Sequence, residues 1–373
     1  MKTLMIGKFS PDYSGGVESS FFGLAKRLAA RCEVDVVCCS VDGRARVERV
    51  GEAACHCLAT WFTLFSAPIA PALVGFLRRA RYDVVILAFQ NPMAALAYLL
   101  ARPPGRLVVW WHHDIVKQRL LGLLLRSLLE RVLERADVVV ATSEAYAKSS
   151  AMLSRFQAKI EIIPLGIDLE PWERPEHVAR GGEIRRREGS PLLAFVGRHV
   201  YYKGLRYLLE AMVGLDARLL AIGRGPLEEE LKALSRRLGV AERVRFLDVP
   251  NGESVAPYLH AADLLVLPSS HRTEAFGLVL LEAMACGKPV VTTELGTGTS
   301  HVCQDGATGR VVPPQDPAAL RAAIAGLLAD PAAARAMGQA GRKRAQEFGA
   351  DAMAAAFLEL CRRLCEGRHA ARA

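Results

Sequence analysis

The chain has 373 residues, 51% of them apolar, with ordinary glycine and proline contents and a formal net charge of +9. That length exceeds one ordinary core and suits two α/β domains, while the composition excludes a disordered, collagen-like or solenoid chain. The basic excess is spread along the sequence, so it suits anionic substrates or an anionic membrane surface; no aromatic-and-basic motif points to nucleic acid.

Lys2–Gly7 is a short apolar strand, and Ser10–Gly16 is a glycine-rich loop feeding a helix over 17–30. Gly15 and Gly16 permit close backbone approach to a ligand, but they do not make Gly-x-Gly-x-x-Gly, so a dinucleotide fingerprint is absent. Further strands are predicted at 34–40, 84–89, 107–111, 137–142 and 160–164, mostly separated by helices, which means a doubly wound parallel sheet. Nine cysteines are scattered, several in apolar strands such as Val36-Val-Cys38-Cys39, and no spacing makes a paired zinc knuckle; they read as buried thiols. Lys2 leads straight into the first strand, so no signal peptide is expected and the reducing cytosol is the expected compartment. No apolar run reaches about 18 residues without a charge, which argues against a spanning helix and leaves peripheral membrane contact.

Ligands of such sheets collect at the carboxyl ends of strands, which singles out His112-His113-Asp114 after Leu107-Val-Val-Trp-Trp111. Adjacent side chains of an extended segment point to opposite faces, so His112 and His113 do not readily share a metal ion. One histidine here suits a hydrogen bond to a sugar hydroxyl, and the choice between the two rings stays open. The segment 116–135 reads as a long helix with leucines on nearly every face and arginines at 119, 126, 131 and 135. It is either a core helix with a solvated basic edge or a surface helix that touches anionic lipid.

Pro171, Pro175, Gly181-Gly182 and the charged run 183–188 break the periodicity, and mark a linker over 171–190 between an N-terminal domain (1–170) and a C-terminal one (191–348). The second domain opens with an apolar strand that delivers Arg198 and Lys203 to its carboxyl end, where two cations can neutralise a diphosphate. The turn at Gly223 contains Gly-x-Gly, but Glu228 replaces the third glycine of a dinucleotide motif; a nucleotide base fits against it and the strand end at Leu247. No Asp-x-Asp occurs, so a metal-diphosphate chelate lacks its ligands. The stretch His271 to Val291 then reads as the end of one strand, a helix, and a second strand from Pro289, with Gly287 as the left-handed helix stop. Backbone N–H groups around Phe276, Gly277 and Leu278 are unpaired donors of a helix start and suit an anion. Glu274 and Glu282 flank that tip and need separate partners. After Pro313-Pro314 the chain reads as helical to its end, with Gly349 as the break before a last helix over 349–373.

Glu274-Ala275-Phe276-Gly277-Leu278 with Glu282, followed by Ala-Met-Ala-Cys-Gly-Lys-Pro-Val-Val, resembles the donor-site signature of retaining glycosyltransferases of family 4, which have the GT-B fold of two Rossmann-like domains facing a central cleft. Gly197-Arg198-x4-Lys203-Gly204 is similar to their second signature, and Pro164-Leu-Gly-Ile-Asp168 to the string closing their first domain. The resemblance covers nearly the whole chain. It implies that Glu274 faces the donor sugar, Glu282 binds ribose hydroxyls, Arg198 and Lys203 hold the diphosphate, Gly15 and Gly16 face acceptor and phosphates, and the last helix crosses back to the first domain. Trp111-His112-x-Asp114-Ile resembles a motif of bacterial mannosyl- and rhamnosyltransferases, which implies a GDP-sugar donor and a saccharide or lipid-linked saccharide acceptor in cell-surface polysaccharide synthesis, with His112 and His113-Asp114 near the sugar. No cofactor and no metal are expected. The alternatives are a UDP-glucose or UDP-galactose transferase of the same fold, a nucleotide-sugar epimerase, and a non-catalytic sugar-nucleotide sensor.

Overall fold

A computed structural model describes residues 1–13, 15–64, 67–89, 91–114, 119–249 and 253–370. The chain divides into two compact units: Met1–Gly166 with Ala350–Ala373, and Ile167–Gly349.

The first unit holds strands β1 (Lys2–Phe9), β2 (Glu33–Cys39), β3 (Arg46–Val50), β4 (Ala53–Leu58), β5 (Phe62–Leu64), β6 (Ala67–Ile69), β7 (Val84–Phe89), β8 (Arg106–Trp111), β9 (Val138–Ala141) and β10 (Ile160–Ile162). Eight of them form one sheet, in the order β10-β9-β8-β7-β1-β2-β4-β3. Its central strands are near-continuous apolar runs because helices cover both faces: Leu4 to Ile6, Val84 to Ile86 and Val108 to Trp110 have no exposed surface. The chain winds outward from β1 in both directions, so β1 and β7 separate at their carboxyl ends. The Ala350–Ala370 helix belongs to this unit, where it packs beside the Gly16–Ala29 helix and Arg27 Nε donates to Asp351 Oδ1 at 2.9 Å.

Strands β3 to β6 go beyond the sequence expectation. β3 runs antiparallel to β4, so the sheet is parallel except at that edge, and β5 and β6 make a separate small hairpin. The Arg119–Arg135 helix is a core element by its inner face, with Leu129, Val132 and Leu133 buried, while Arg126 and Arg155 share Glu130 on its outer side. Ser14 and the residues Ile115 to Gln118, on which the end of the Trp-His motif and the start of the stretch expected as a helix over 116–135 fall, lie outside the described residues.

The second unit holds β11 (Leu192–Val196), β12 (Arg218–Ile222), β13 (Val244–Leu247), β14 (Leu264–Leu267), β15 (Val290–Thr293) and β16 (Gly309–Val312), all parallel, in the order β13-β12-β11-β14-β15-β16. This is the doubly wound order whose reversal lies between the first and fourth strands, β11 and β14. Leu193, Phe195, Leu219 and Ala221 pack one face with helices Leu205–Ala211 and Pro317–Ala329, and Leu192, Leu220 and Ile222 pack the other with Ile184.

The stretch expected as a linker, 171–190, is instead mostly helical and part of the second unit. Short Glu170–Glu173 and longer Pro175–Glu188 helices occupy it, the latter packed on the Ala256–Ala261 helix. The prolines sit in first turns, where a missing N–H costs nothing. Gly181, read as a breaker, is a contact residue: a Cβ there would come within 2.6 Å of His260 Cβ and 3.0 Å of the Pro257 carbonyl. The first unit accordingly ends at Gly166.

Gly181→Ala should therefore force the two helices apart and destabilise the fold by about 1–3 kcal/mol. Gly182 has nothing within 4 Å of its Cβ position, so Gly182→Ala should be neutral or stabilising by up to about 1 kcal/mol through helix propensity. Urea melts of both variants check the contrast, and equal effects would refute the contact.

Candidate functional site

The carboxyl ends of β11 and β14 place Lys203 and Glu274 against each other. Lys203 closes a single 3-10 turn, Tyr201–Lys203, after β11, and Glu274 lies in the loop between β14 and the Leu278–Ala285 helix. Lys203 Nζ is 2.6 Å from Glu274 Oε2, with side chains only 15% and 9% exposed. Ser269 Oγ donates to the same carboxylate oxygen at 3.1 Å, and Thr297 Oγ1 donates to the Glu274 carbonyl at 2.8 Å. Burial opposes charge on Lys203, but the carboxylate of Glu274 outweighs it and holds the ammonium above its ordinary range.

The helix start beside this pair follows from Gly277, whose φ of 79° and ψ of 57° are left-handed and favour glycine. No side chain caps this end. Phe276 is buried, with its ring edge-on to Phe348, and Gly298 N donates to the Ala275 carbonyl at 2.7 Å, which fixes the loop from outside. Leu278 begins the helix and Glu282 is its fifth residue, half-buried. Burial raises the Glu282 carboxyl to about 7 against the opposing pull of Lys203. The two glutamates thus differ: Glu274 is ion-paired, and Glu282 changes charge near neutrality.

Arg198 lies exposed in the turn after β11 and makes no ion pair with a described residue. Gly223 follows β12 directly, and its N–H donates to the Leu247 carbonyl at 2.8 Å, so those two lie side by side at neighbouring strand ends. Arg224 and Asp248, one residue beyond each, form an ion pair.

In the first unit, Gly15 precedes the Gly16–Ala29 helix in extended conformation, and its carbonyl accepts from Ser19 N at 2.9 Å. His112 follows β8, 2% exposed, with neither ring nitrogen hydrogen-bonded to a described residue, its ring 4.5 Å from that of Trp110. Burial, with His113 adjacent, pushes its pKa down to about 3, so the imidazole is neutral at any physiological pH. It lines a pocket with Gly7, Lys8 and Phe9 at the end of β1, Glu18 and Phe21 of the following helix, and Phe89 at the end of β7, which is where the strand order reverses. His113 and Asp114 are placed otherwise. His113 Nδ1 lies 3.1 Å from the Asp114 carbonyl, and Asp114 is held by Ser150 Oγ at 2.7 Å and by Tyr146 Oη, which accepts from its N–H at 2.5 Å.

Residues outside the sequence reading join these. Ser269 and Thr297 support Glu274, and the only sequence sign of them is their place at strand and loop ends. His199, beside Arg198, is fully buried, its ring without a hydrogen bond to a described residue, between Phe195 and Phe246 and 3.7 Å from Glu228. Burial lowers its pKa. Trp61, Phe62 and Leu64 at the β5–β6 hairpin are 73%, 55% and 50% exposed. No described helix is long and apolar enough to cross a membrane.

The family model for glycosyltransferase family 4 matches residues 14–171, and that for glycosyl transferases group 1 matches 182–344. The chain is 34% identical over 378 residues to O-antigen chain mannosyltransferase C of Escherichia coli, covering 99% of this chain and all of that protein. It is 38% identical to the D-rhamnosyltransferase WbpZ of Pseudomonas aeruginosa over 72% of this chain and 70% of that one. Among solved structures, sucrose-phosphate synthase from Thermosynechococcus elongatus superposes with a TM-score of 0.83 at 25% identity, over 98% of this chain and all of its own. With both halves matched and a full-length relative at 34% identity, the chain is a GT-B glycosyltransferase and belongs to family 4.

Proposed function

We propose that this glycosyltransferase moves mannose or rhamnose from a GDP-sugar to a saccharide or lipid-linked saccharide acceptor in cell-surface polysaccharide synthesis, with retention of anomeric configuration and without a metal ion. The observation that carries the reading is the Lys203–Glu274 pair beside an uncapped helix start at the strand-order reversal. The names of the E. coli and P. aeruginosa relatives support the sugar and the product, and the Trp-His motif supports the GDP donor.

Lys203 has three N–H donors, so it holds Glu274 with one and a phosphate oxygen with another. Arg198 and the N–H groups of Phe276 and Gly277 take the rest of the diphosphate charge as the glycosidic bond to the leaving group breaks and the sugar becomes oxocarbenium-like. Glu274 orients the sugar, Glu282 accepts from ribose hydroxyls, and Gly223 and Leu247 flank the base. Gly15 and Gly16 let the acceptor and the donor phosphates approach the backbone. His112, neutral and without a hydrogen-bond partner among the described residues, hydrogen-bonds a sugar hydroxyl and is no proton source.

A panel of GDP- and UDP-sugars read by thermal shift tests the donor. A GDP-sugar should raise the melting temperature by the same increment in EDTA as with magnesium, worth about 2.7 kcal/mol at 100 times its dissociation constant. An increment that needs the divalent ion would overturn the metal-free reading, and a response to UDP-sugars alone would overturn the GDP assignment. Product formed without acceptor would mark an epimerase instead.

Steady-state kinetics separate the charged groups. Lys203→Ala and Arg198→Ala should each weaken donor binding by about 1.5–3 kcal/mol. Glu274→Gln should lower kcat more than it changes donor KM, because the sugar-facing charge acts in the transition state. Glu282 is neutral below a pH of about 7 and ionised above it, and only the carboxylate is a strong acceptor for two hydroxyls. Donor affinity should therefore improve as pH rises through about 7, and the slope should vanish in Glu282→Gln. The same slope in both proteins would remove Glu282 from the ribose.

Peripheral contact with anionic membrane belongs to the same proposal, carried by the exposed Trp61, Phe62 and Leu64 and the net charge of +9. The protein should sediment with anionic vesicles and less with neutral ones, and the double variant Trp61→Ala, Phe62→Ala should stay in solution. Equal sedimentation of the two proteins would discard the hairpin as the contact.

A further inference from the structure

Three thiols gather at the β3 edge of the first sheet, and none of them lines the His112 pocket. Cys38 on β2 stands directly opposite Cys57 on β4, and Cys55 lies two residues earlier on β4, so all three side chains leave the same face. Their sulfurs are 3.7, 3.7 and 3.8 Å apart, and each residue is at most 2% exposed. Glu48 on the outermost strand, β3, pairs with Cys55 across the antiparallel ladder and so shares that face. Its Oε1 accepts from Cys57 Sγ at 3.1 Å, and Arg46 Nε donates to its Oε2 at 3.3 Å.

We propose that Cys38, Cys55 and Cys57, with Glu48 as the fourth ligand, form a structural zinc site separate from the transferase centre. A tetrahedral zinc with Zn–S bonds of about 2.3 Å sets its sulfurs about 3.8 Å apart, which the three thiols already match. A carboxylate oxygen on the same ion lies about 3.5 Å from each sulfur; Glu48 Oε1 already stands 3.1 Å from the Cys57 sulfur and has to swing toward the other two to complete the set. On binding, each of the three thiols loses a proton to solvent and becomes a thiolate ligand. Three thiolates and a carboxylate around a divalent ion leave a charge of −2, and the Arg46 guanidinium beside Glu48 offsets part of it. Thiolates select a soft ion, and a fourth, carboxylate ligand favours zinc over three-coordinate copper(I). The ligands come from β2, β4 and β3, so the ion ties the antiparallel edge strand into the sheet. It also steadies the end of β2, where the Cys39 carbonyl accepts from Ser10 N at 2.9 Å at the start of the glycine-rich loop.

The test is titration of the reduced, chelator-stripped full-length protein with cobalt(II) and then zinc(II) alone. One equivalent of cobalt should give an intense thiolate-to-cobalt charge-transfer absorption with tetrahedral d–d bands; zinc should bleach both and raise the melting temperature. Cys38→Ala and Cys57→Ala should abolish the charge-transfer band, Cys303→Ala, a buried thiol of the other unit, should keep it, and Glu48→Gln should keep it but shift the d–d bands. No band in the unsubstituted protein, or one that survives both Cys38→Ala and Cys57→Ala, would mean thiols in plain van der Waals contact and would overturn the proposal. The unsubstituted protein decides this even where a variant fails to fold. The donor-induced increment in melting temperature is read separately, so failure here leaves the transferase reading standing.

Discussion

The second unit is organised around one charged contact, the Lys203–Glu274 pair, and the short distance between two strand ends that allows it. Taking an ammonium and a carboxylate out of water costs several kcal/mol per ion, and attraction repays this only with good geometry and further hydrogen bonds. Here the carboxylate has Ser269 as well as Lys203, while the ammonium keeps donors to spare. Such a pair is poor as a source of stability, since an apolar pair of similar size would serve as well. In the proposed function it makes sense as a device that holds a charge ready: the ammonium would already be desolvated when a diphosphate reached it, so little reorganisation would be left for the reaction.

The two units solve the same topological problem with different chemistry. Each sheet winds outward from its first strand, which opens a crevice at the carboxyl ends of two neighbouring strands. In the second unit that place carries charge. In the first it carries a buried neutral imidazole among Phe9, Phe21 and Phe89, with Lys8 and Glu18 also lining the pocket. A sugar presents hydroxyls and apolar ring faces, which suits aromatic walls and an unspent hydrogen-bond group. His112 fits that description because its two nitrogens have no hydrogen bond with a described residue, a state that a buried polar group keeps only at a cost.

Much of this was legible in the sequence, for physical reasons. Apolar runs such as Leu264 to Leu267 are long and pure enough to be buried strands, and glycines at their ends mark where the backbone must turn, so both sheets and the places of Arg198, Lys203 and Glu274 could be read. The edge of the first sheet could not. Arg46–Val50 and Ala53–Leu58 are short and mixed in polarity, and their meaning comes from pairing with β2. The same limit hid the thiol cluster, since Cys38 and Cys57 are far apart in sequence and meet only through strand register. Gly181 was misread because a glycine that breaks a helix and one that lets two helices touch look alike until the partner helix is seen. Nor does residue spacing reveal that Lys203 and Glu274 pair, because that contact joins two loops.

What lets those loops meet is the absence of side chains on either flank of Lys203. Gly204 has a φ of 70°, and a Cβ there would fall 1.9 Å from the Pro268 carbonyl oxygen, so any other residue would push the turn after β11 away from the end of β14. On the other flank, the stem of Lys203 lies over Gly197, its Cε 3.4 Å and Cδ 3.5 Å from where a Cβ would stand. The lysine is thus guided along a bare stretch of backbone toward Glu274. Arginine is not an equivalent replacement, since its planar fork does not reproduce the single 2.6 Å contact that the compact ammonium makes. Arg198, in open solvent, has the opposite surroundings, and there a wide guanidinium can meet two phosphate oxygens at once. The choice of cation at each position follows from the room that the glycines leave.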